Sequence, residues 1–235
     1  MEIGGSMISV IIPAYNEEKT IGPIVRAART HPLVQEVIVV DDGSEDRTAE
    51  IAEQCGAFVT RLCGNVGKAT AMDIGVDQAQ GQYICFLDAD LHCLSHKVLY
   101  DIINPVISKK SDMFVAIRGR RWLWLNRLLR ITPIIGGERC MKKTIWHAVP
   151  DHLKKNFQIE IALNYITKKY GYRMDFRIIQ GLRHTTKFKK RGFLRGCVSQ
   201  MGMFADIIKI SVTLYLGTHR ATPRLSHKVR PAARL

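Results

Sequence analysis

The second half of this 235-residue chain is nearly without acid. Residues 118–235 hold only five carboxylates, Glu138, Asp151, Glu160, Asp175 and Asp206, against 26 lysines and arginines, a net charge of +21. Residues 1–117 are the reverse, sixteen acids to nine bases, a net of −7. Such asymmetry turns the second half toward something anionic: nucleic acid, a phosphorylated substrate or an anionic membrane surface. Other absences narrow the field. No apolar run reaches about 18 residues, so no transmembrane helix is expected. The six cysteines show no C-x-x-C spacing, which argues against a zinc framework and for a reducing compartment. No G-x-G-x-x-G follows the first apolar run and no G-x-x-x-x-G-K-[ST] occurs, so a dinucleotide fold and a P-loop are both disfavoured. No signal peptide is expected, and no internal repeat or low-complexity segment is seen; residues 1–6 are expected to be a tag remnant, with Met7 as the natural start.

What is present is a chain with enough apolar content, 46%, for a substantial core. Ile8 to Pro13, Glu36 to Val40, Ala57 to Arg61, Tyr83 to Leu87 and Met113 to Arg118 read as strands. Thr20 to Thr30, Asp46 to Gln54 and Lys68 to Gln80 between them read as helices, the second closed by Gly56 and the third by Gly81. Strands alternating with helices of this length predict an α/β fold, a mostly parallel sheet with helices on both faces. Farther on, Phe157 to Lys169 is an amphipathic helix and Met174 to Ile179 a late strand. Gly192 to Leu216 is apolar but broken by charges. The expected organisation is a first half over 7–117, a second half of the same domain over 118–217 with a helical basic extension, and a basic flexible tail over 218–235.

Chemistry gathers at the strand ends. Asp88-Ala89-Asp90 follows the buried run Tyr83 to Leu87, where open α/β sheets place their ligands. Two acids so spaced suit a hard divalent cation, Mn2+ or Mg2+, which in turn suits a diphosphate. The first strand leads into Pro13-Ala14-Tyr15-Asn16-Glu17-Glu18, a stacking ring with carboxylates. The second leads into Asp41-Asp42-Gly43-Ser44, acceptors for the N–H groups of a base or the hydroxyls of a ribose. Asn65-Val66-Gly67-Lys68 opens a helix and brings a glycine, a cation and helix N–H groups to one place, which suits phosphate.

The order Val-Ile-Ile-Pro-Ala-Tyr-Asn-Glu (10–17), Val-Asp-Asp-Gly-Ser (40–44), Asn-Val-Gly-Lys (65–68) and Leu-Asp-Ala-Asp (87–90) resembles the nucleotide-sugar-binding half of a family 2 glycosyltransferase of GT-A, Rossmann-like fold. It is similar to dolichyl- and polyprenyl-phosphate sugar synthases and to glucosyl-phosphoglycerate synthases. The resemblance covers a little over a third of the chain. It implies that Pro13, Ala14, Tyr15 and Glu17 line the nucleoside, that Asp42 contacts the base with Asp41 beside it, and that Lys68 approaches the nucleotide or diphosphate. By the same resemblance Asp88 faces the sugar or ribose, and Asp90 binds the metal, with His92 and His184 as candidate further ligands.

On the acceptor side, Gly136-Gly137-Glu138-Arg139-Cys140 occupies the place where similar enzymes carry a glycine-containing motif near the reacting sugar. Glu138 and Arg139 are candidates to touch the sugar or an acceptor phosphate, or form a surface ion pair. Glu160 is either a catalytic base or a partner for an arginine. The family's paired-acid motif is missing, which favours an acceptor that is already anionic. Arg118, Arg120, Arg121, Arg127 and Arg130 suit an anionic head group, and Trp122 and Trp124 between arginines suit an interfacial helix. The expected function is metal-dependent, inverting transfer from a UDP- or GDP-sugar to a lipid-linked or polyprenyl-phosphate acceptor, in the cytoplasm on the inner face of the cell membrane. Two alternatives stand beside it: a soluble retaining transferase onto a small phosphorylated acceptor, and a non-enzymatic nucleic-acid-binding protein.

Overall fold

A computed structural model describes residues 8–118, 136–154, 158–179 and 182–184. Seven strands form one sheet in the order β3-β2-β1-β4-β7-β6-β8. These are β1 (Ile8–Ala14), β2 (Val34–Asp41), β3 (Phe58–Arg61), β4 (Tyr83–Phe86), β6 (Met113–Arg118), β7 (Arg139–Lys142) and β8 (Met174–Ile179). A separate two-stranded ribbon pairs β5 (Leu91–His92) with β9 (Arg183–His184). All pairs in the large sheet are parallel except those of β7, which runs antiparallel to β4 and β6 on either side. The sheet is therefore mostly parallel, as the alternation of strands and helices predicts.

The apolar runs are buried on both faces, as parallel strands under helices require. Along β1, Val10 and Ile12 face one core while Ile11 faces the other. Helix α1 (Ile21–Arg29) lays Ile21, Ile24, Val25 and Ala28 on the first face, and α4 (His96–Ile107) adds Leu99, Ile102 and Ile103. The second face is covered by α3 (Lys68–Gln78), α5 (Lys143–His147) and α6 (Gln158–Lys169), through Met72, Val76, Trp146, Ile159, Leu163 and Ile166. Helix α2 (Thr48–Gln54) packs beside α1. Trp146 is fully buried and donates its indole N–H to Asp73 on α3 at 2.6 Å; Lys154 reaches the same oxygen at 2.8 Å. This pins α5 and the turn Asp151–Leu153 to α3.

Two elements differ from the sequence expectation. Helix α4 fills the interval between the fourth strand and Met113. It starts at Ser95, whose hydroxyl accepts the Val98 N–H at 3.2 Å, and carries Pro105 in its last turn. Strand β7 enters between β4 and β6, with Phe86 opposite Arg139 and Val115 opposite Arg139 on the other side. Segments 119–135 and 185–235, with Arg121, Trp122, Trp124 and the expected tail, lie outside the described residues.

Candidate active site

The loops after β1 and β2 are laced together before any ligand is considered. Asn16 sits at a positive φ of 54°; its N–H donates to Ser44 Oγ at 2.9 Å, and its Oδ1 accepts the Glu45 N–H at 2.9 Å. The Glu17 N–H donates to Thr48 Oγ1 at 2.7 Å, and the Glu18 N–H to Asp46 Oδ2 at 3.2 Å. Burial opposes the charge of Asp46, but the Thr48 hydroxyl and the backbone N–H groups of Glu18 and Thr48 outweigh it and hold its carboxyl below the usual range. Pro13 and Ala14 end β1 under this lattice, and Tyr15 is left 37% exposed beside them. Asn16, Glu17, Glu18, Lys19, Thr20, Asp46 and His92 line a cavity of about 480 Å³.

Both acids at the end of β2 are buried and shape backbone. Asp41 accepts the hydroxyl and the N–H of Ser44. Asp42 accepts the Val66 N–H at 2.7 Å and the Gly67 N–H at 3.0 Å, so it fixes the turn that opens α3. Gly43 is at φ 75°, and a Cβ there would lie 2.7 Å from the Gly64 backbone, so the turn after Asp42 needs glycine. Any base contact by Asp42 is made by a carboxylate already anchored to this loop.

Lys68, at the first position of α3, does not point into open space. Its ammonium lies 2.7 Å from Asp88 Oδ1. Burial opposes its charge, but the carboxylates of Asp88, Glu160 and Glu138 outweigh it and hold the lysine pKa above its ordinary value. Asp88 in turn is pressed against Gly137: a Cβ on that glycine would stand 2.7 Å from both carboxylate oxygens. The neighbouring Arg139 is fully buried. Its Nε and Nη2 donate to the Gly136 carbonyl at 3.1 and 2.6 Å, and its Nη1 to the Glu160 carbonyl at 3.5 Å. Burial lowers its pKa, opposed by Glu160, Glu138 and Asp88. Five residues from four elements thus form one polar floor: Asp88 and the buried Glu138 and Glu160 face the buried Arg139 and the partly exposed Lys68. The Glu160 carboxylate is 6% exposed, and its Oε2 has no hydrogen-bond partner among the described residues.

The structure gathers Asp88, Glu138, Arg139 and Glu160 into one floor. Glu138 and Arg139 are sealed at 0% exposure rather than displayed on a surface loop, and Glu160 faces an arginine. The interlocking of Lys68 with Asp88 and the role of Gly137 as Asp88's backstop are not visible from spacing; the Gly136-Gly137 pair is their only signal.

Asp90 is half-buried on the turn between β4 and β5. His92 is exposed on β5 and lines the cavity by the β1 loop. The ribbon pairs Leu91 with His184 and His92 with Arg183, so the backbone of His184 is brought from far along the chain to the turn carrying Asp90. Among the described residues no three His, Cys, Asp or Glu side chains form a ready metal cluster. Asp90 offers one carboxylate of the kind a hard cation takes. Arg118 ends β6 at the mouth of the segment that lies outside the described residues.

Residues 9–178 match the family model described as Glycosyl transferase family 2. The 4,4'-diaponeurosporenoate glycosyltransferase of Staphylococcus haemolyticus is 39% identical over 117 residues, 47% of this chain and 31% of that protein. The dodecaprenyl-phosphate galacturonate synthase of Rhizobium johnstonii is 32% identical over 124 residues, 48% of this chain and 36% of that protein. The chain thus spans about a third of the length of these curated relatives. In fold it is similar to glucosyl-3-phosphoglycerate synthase of Mycobacterium tuberculosis, solved with Mn2+, UDP and phosphoglyceric acid. That likeness has a TM-score of 0.72 at 23% identity, over 89% of this chain and 78% of that one.

Proposed function

This chain belongs to glycosyl transferase family 2, and from that premise we propose that it moves a sugar from a nucleotide-sugar donor to a lipid-linked, polyprenyl-phosphate-type acceptor, with inversion and with the help of a divalent cation. The observation that carries the reading is the convergence of the loops after β1, β2 and β4 with the start of α3 around Lys68, Asp88 and Asp90. The non-enzymatic nucleic-acid alternative does not fit a member of this family.

Each group has a task. The loop Pro13-Ala14-Tyr15, with Glu17, Asp41 and the anchored Asp42, receives the nucleoside of a UDP- or GDP-sugar. Asp90, with His184 or His92, holds Mn2+ or Mg2+. The cation, when bound, supplies charge neutralisation for the departing diphosphate. Asp88 and Glu160 accept hydrogen bonds from sugar hydroxyls; Glu160 Oε2, a buried acceptor with no partner among the described residues, is open to such a donor, and leaving a buried acceptor unmet costs about 1–3 kcal/mol. Arg139 and Lys68 keep this acidic floor near charge balance. The acceptor phosphate, already anionic, attacks without a base, and the basic segment with Arg118, Arg121, Trp122 and Trp124 draws the acceptor and an anionic bilayer surface to the site. No described helix is long and apolar enough to cross a membrane.

The relatives that transfer sugars to polyprenyl phosphates support this acceptor class. The fold likeness to a phosphoglycerate-using enzyme keeps a small phosphorylated acceptor as the second reading. The test is melting of the protein with UDP, GDP, CDP and dTDP, each with manganese or EDTA, followed by transfer assays with the matching sugar nucleotide onto polyprenyl phosphate and onto phosphoglycerate. One nucleotide stabilising with manganese, and labelled polyprenyl phosphate as product, is expected. No response to any nucleotide overturns the donor site; product on phosphoglycerate alone overturns the acceptor.

A further inference from the structure

β8 is the last strand of the sheet, and among the described residues no strand pairs with its outer edge. The edge is not quiet. Phe176 is 44% exposed and Ile178 47%, on the same side of the strand, two residues apart. On the other side the half-buried Asp175 and the exposed Arg177 meet each other, Arg177 Nη2 to Asp175 Oδ2 at 3.4 Å. The Phe176 N–H donates to Asp175 Oδ1 at 2.8 Å, so that backbone donor is held by its neighbour's side chain.

The order Met174-Asp175-Phe176-Arg177-Ile178 is its own complement in an antiparallel register centred on Phe176. A two-fold axis through that residue sets Asp175 of one copy opposite Arg177 of the other, twice. It sets Met174 opposite Ile178, twice, and Phe176 opposite Phe176. Directly opposed residues in an antiparallel pair lie on one face, so charges meet charges on one side and apolar groups meet apolar groups on the other. In the single chain, Asp175 caps the edge in the way isolated edges are protected. On pairing, the same carboxylate gains an arginine across the axis and releases the Phe176 N–H to the partner strand. We propose that the β8 edge is a homodimer interface, a second copy of this chain adding its β8 antiparallel about Phe176. The sheet then continues across the axis as fourteen strands, twice the seven of one copy. The two catalytic floors stay separate, because Asp88, Lys68 and Glu160 belong to other elements.

The experiment is sedimentation velocity of the full chain over a dilution series, for the wild type, Asp175→Arg, Arg177→Asp and the double variant carrying both. The wild type is expected to dimerise with dilution-dependent dissociation. Each single reversal sets two like-charge pairs in the interface and is expected to weaken association by about tenfold or more. The double variant restores both opposite-charge pairs and is expected to recover wild-type association, which also shows that the single variants fail by charge and not by folding. A wild type that stays monomeric at every concentration means that another segment or molecule covers this edge, and overturns the proposal. So does a dimer indifferent to both single reversals, or a double variant that remains as weak as the singles.

Discussion

Lys68 and Asp88 close on each other at 2.7 Å, joining the first residue of α3 to the end of β4. The two are ion-paired, and the missing side chain at Gly137 leaves the room that the aspartate's oxygens occupy. Because they act as a pair, their losses overlap. Lys68→Ala and Asp88→Asn are each expected to lower kcat/KM by about 100-fold. The double variant should fall well short of the product of the two. Steady-state kinetics on the four proteins of the cycle check this.

Gly137→Ala tests the backstop alone. The added methyl would stand 2.7 Å from both oxygens of Asp88, so the carboxylate must swing off its position. Activity is expected to fall more than tenfold, since a misplacement of about 1 Å costs on the order of 100-fold in well-oriented sites. The melting temperature should move little beside that loss. A variant with full activity would show that Asp88's placement is not needed.

Asp90→Asn separates the cation from the rest of the donor site. With nucleotide at about 100 times its dissociation constant, stabilisation is near 2.7 kcal/mol, or roughly 5–10 °C for a domain of this size. The part of that shift lost on adding EDTA to the wild type is expected to be missing from Asp90→Asn, with the cation-independent part retained. Thermal melts with and without manganese make the comparison.

At the opposite pole of the sheet, Asp112 ties β6 to its neighbours. Burial raises its pKa, but Lys142 at 2.6 Å and the N–H groups of Arg173 outweigh it and bring the carboxyl down to about 2. A depressed pKa stabilises the fold fully above the unfolded-state value, near 4, and the contribution is lost as the pH falls toward 2. Asp112→Asn should therefore cost about 2 kcal/mol at neutral pH and flatten the acid limb of the stability curve between about pH 4 and 2. Urea titrations across that range read both effects.

The candidate donor half of the site is legible in the chain because local signals coincide there. An apolar run stops, and acids, a glycine or a lysine follow within a few residues, so Asp42, Lys68, Asp88 and Asp90 stand out as candidates by position alone. Their partners are not legible. Asp42's bonds to the Val66 and Gly67 N–H groups, and Lys68's to Asp88, span 20 or more residues and depend on strand order. Arg139 reads as a surface cation because charge is usually exposed; only the antiparallel pairing of β7 puts it inside. Helix α4 carries a good apolar spacing in Val98, Leu99, Ile102, Ile103 and Val106, but Pro105 argues against a helix that in fact tolerates it one turn from the end.

The place of β7 bears on how the chain comes together. β4 and β6 never touch each other; the strand between them is made after both. When residues up to 118 have been made, four strands can already lie side by side while β6 has nothing to join on its inner side. The edge of β4, the strand leading to Asp88, stays open until Arg139–Lys142 arrives as a keystone. Assembly of the polar floor and closure of the sheet are therefore a single late event, since Arg139 and its neighbour Glu138 belong to both. A nascent or cleaved chain ending before residue 139 would carry the nucleotide loops in recognisable form, yet expose an unpaired hydrophobic edge to other chains.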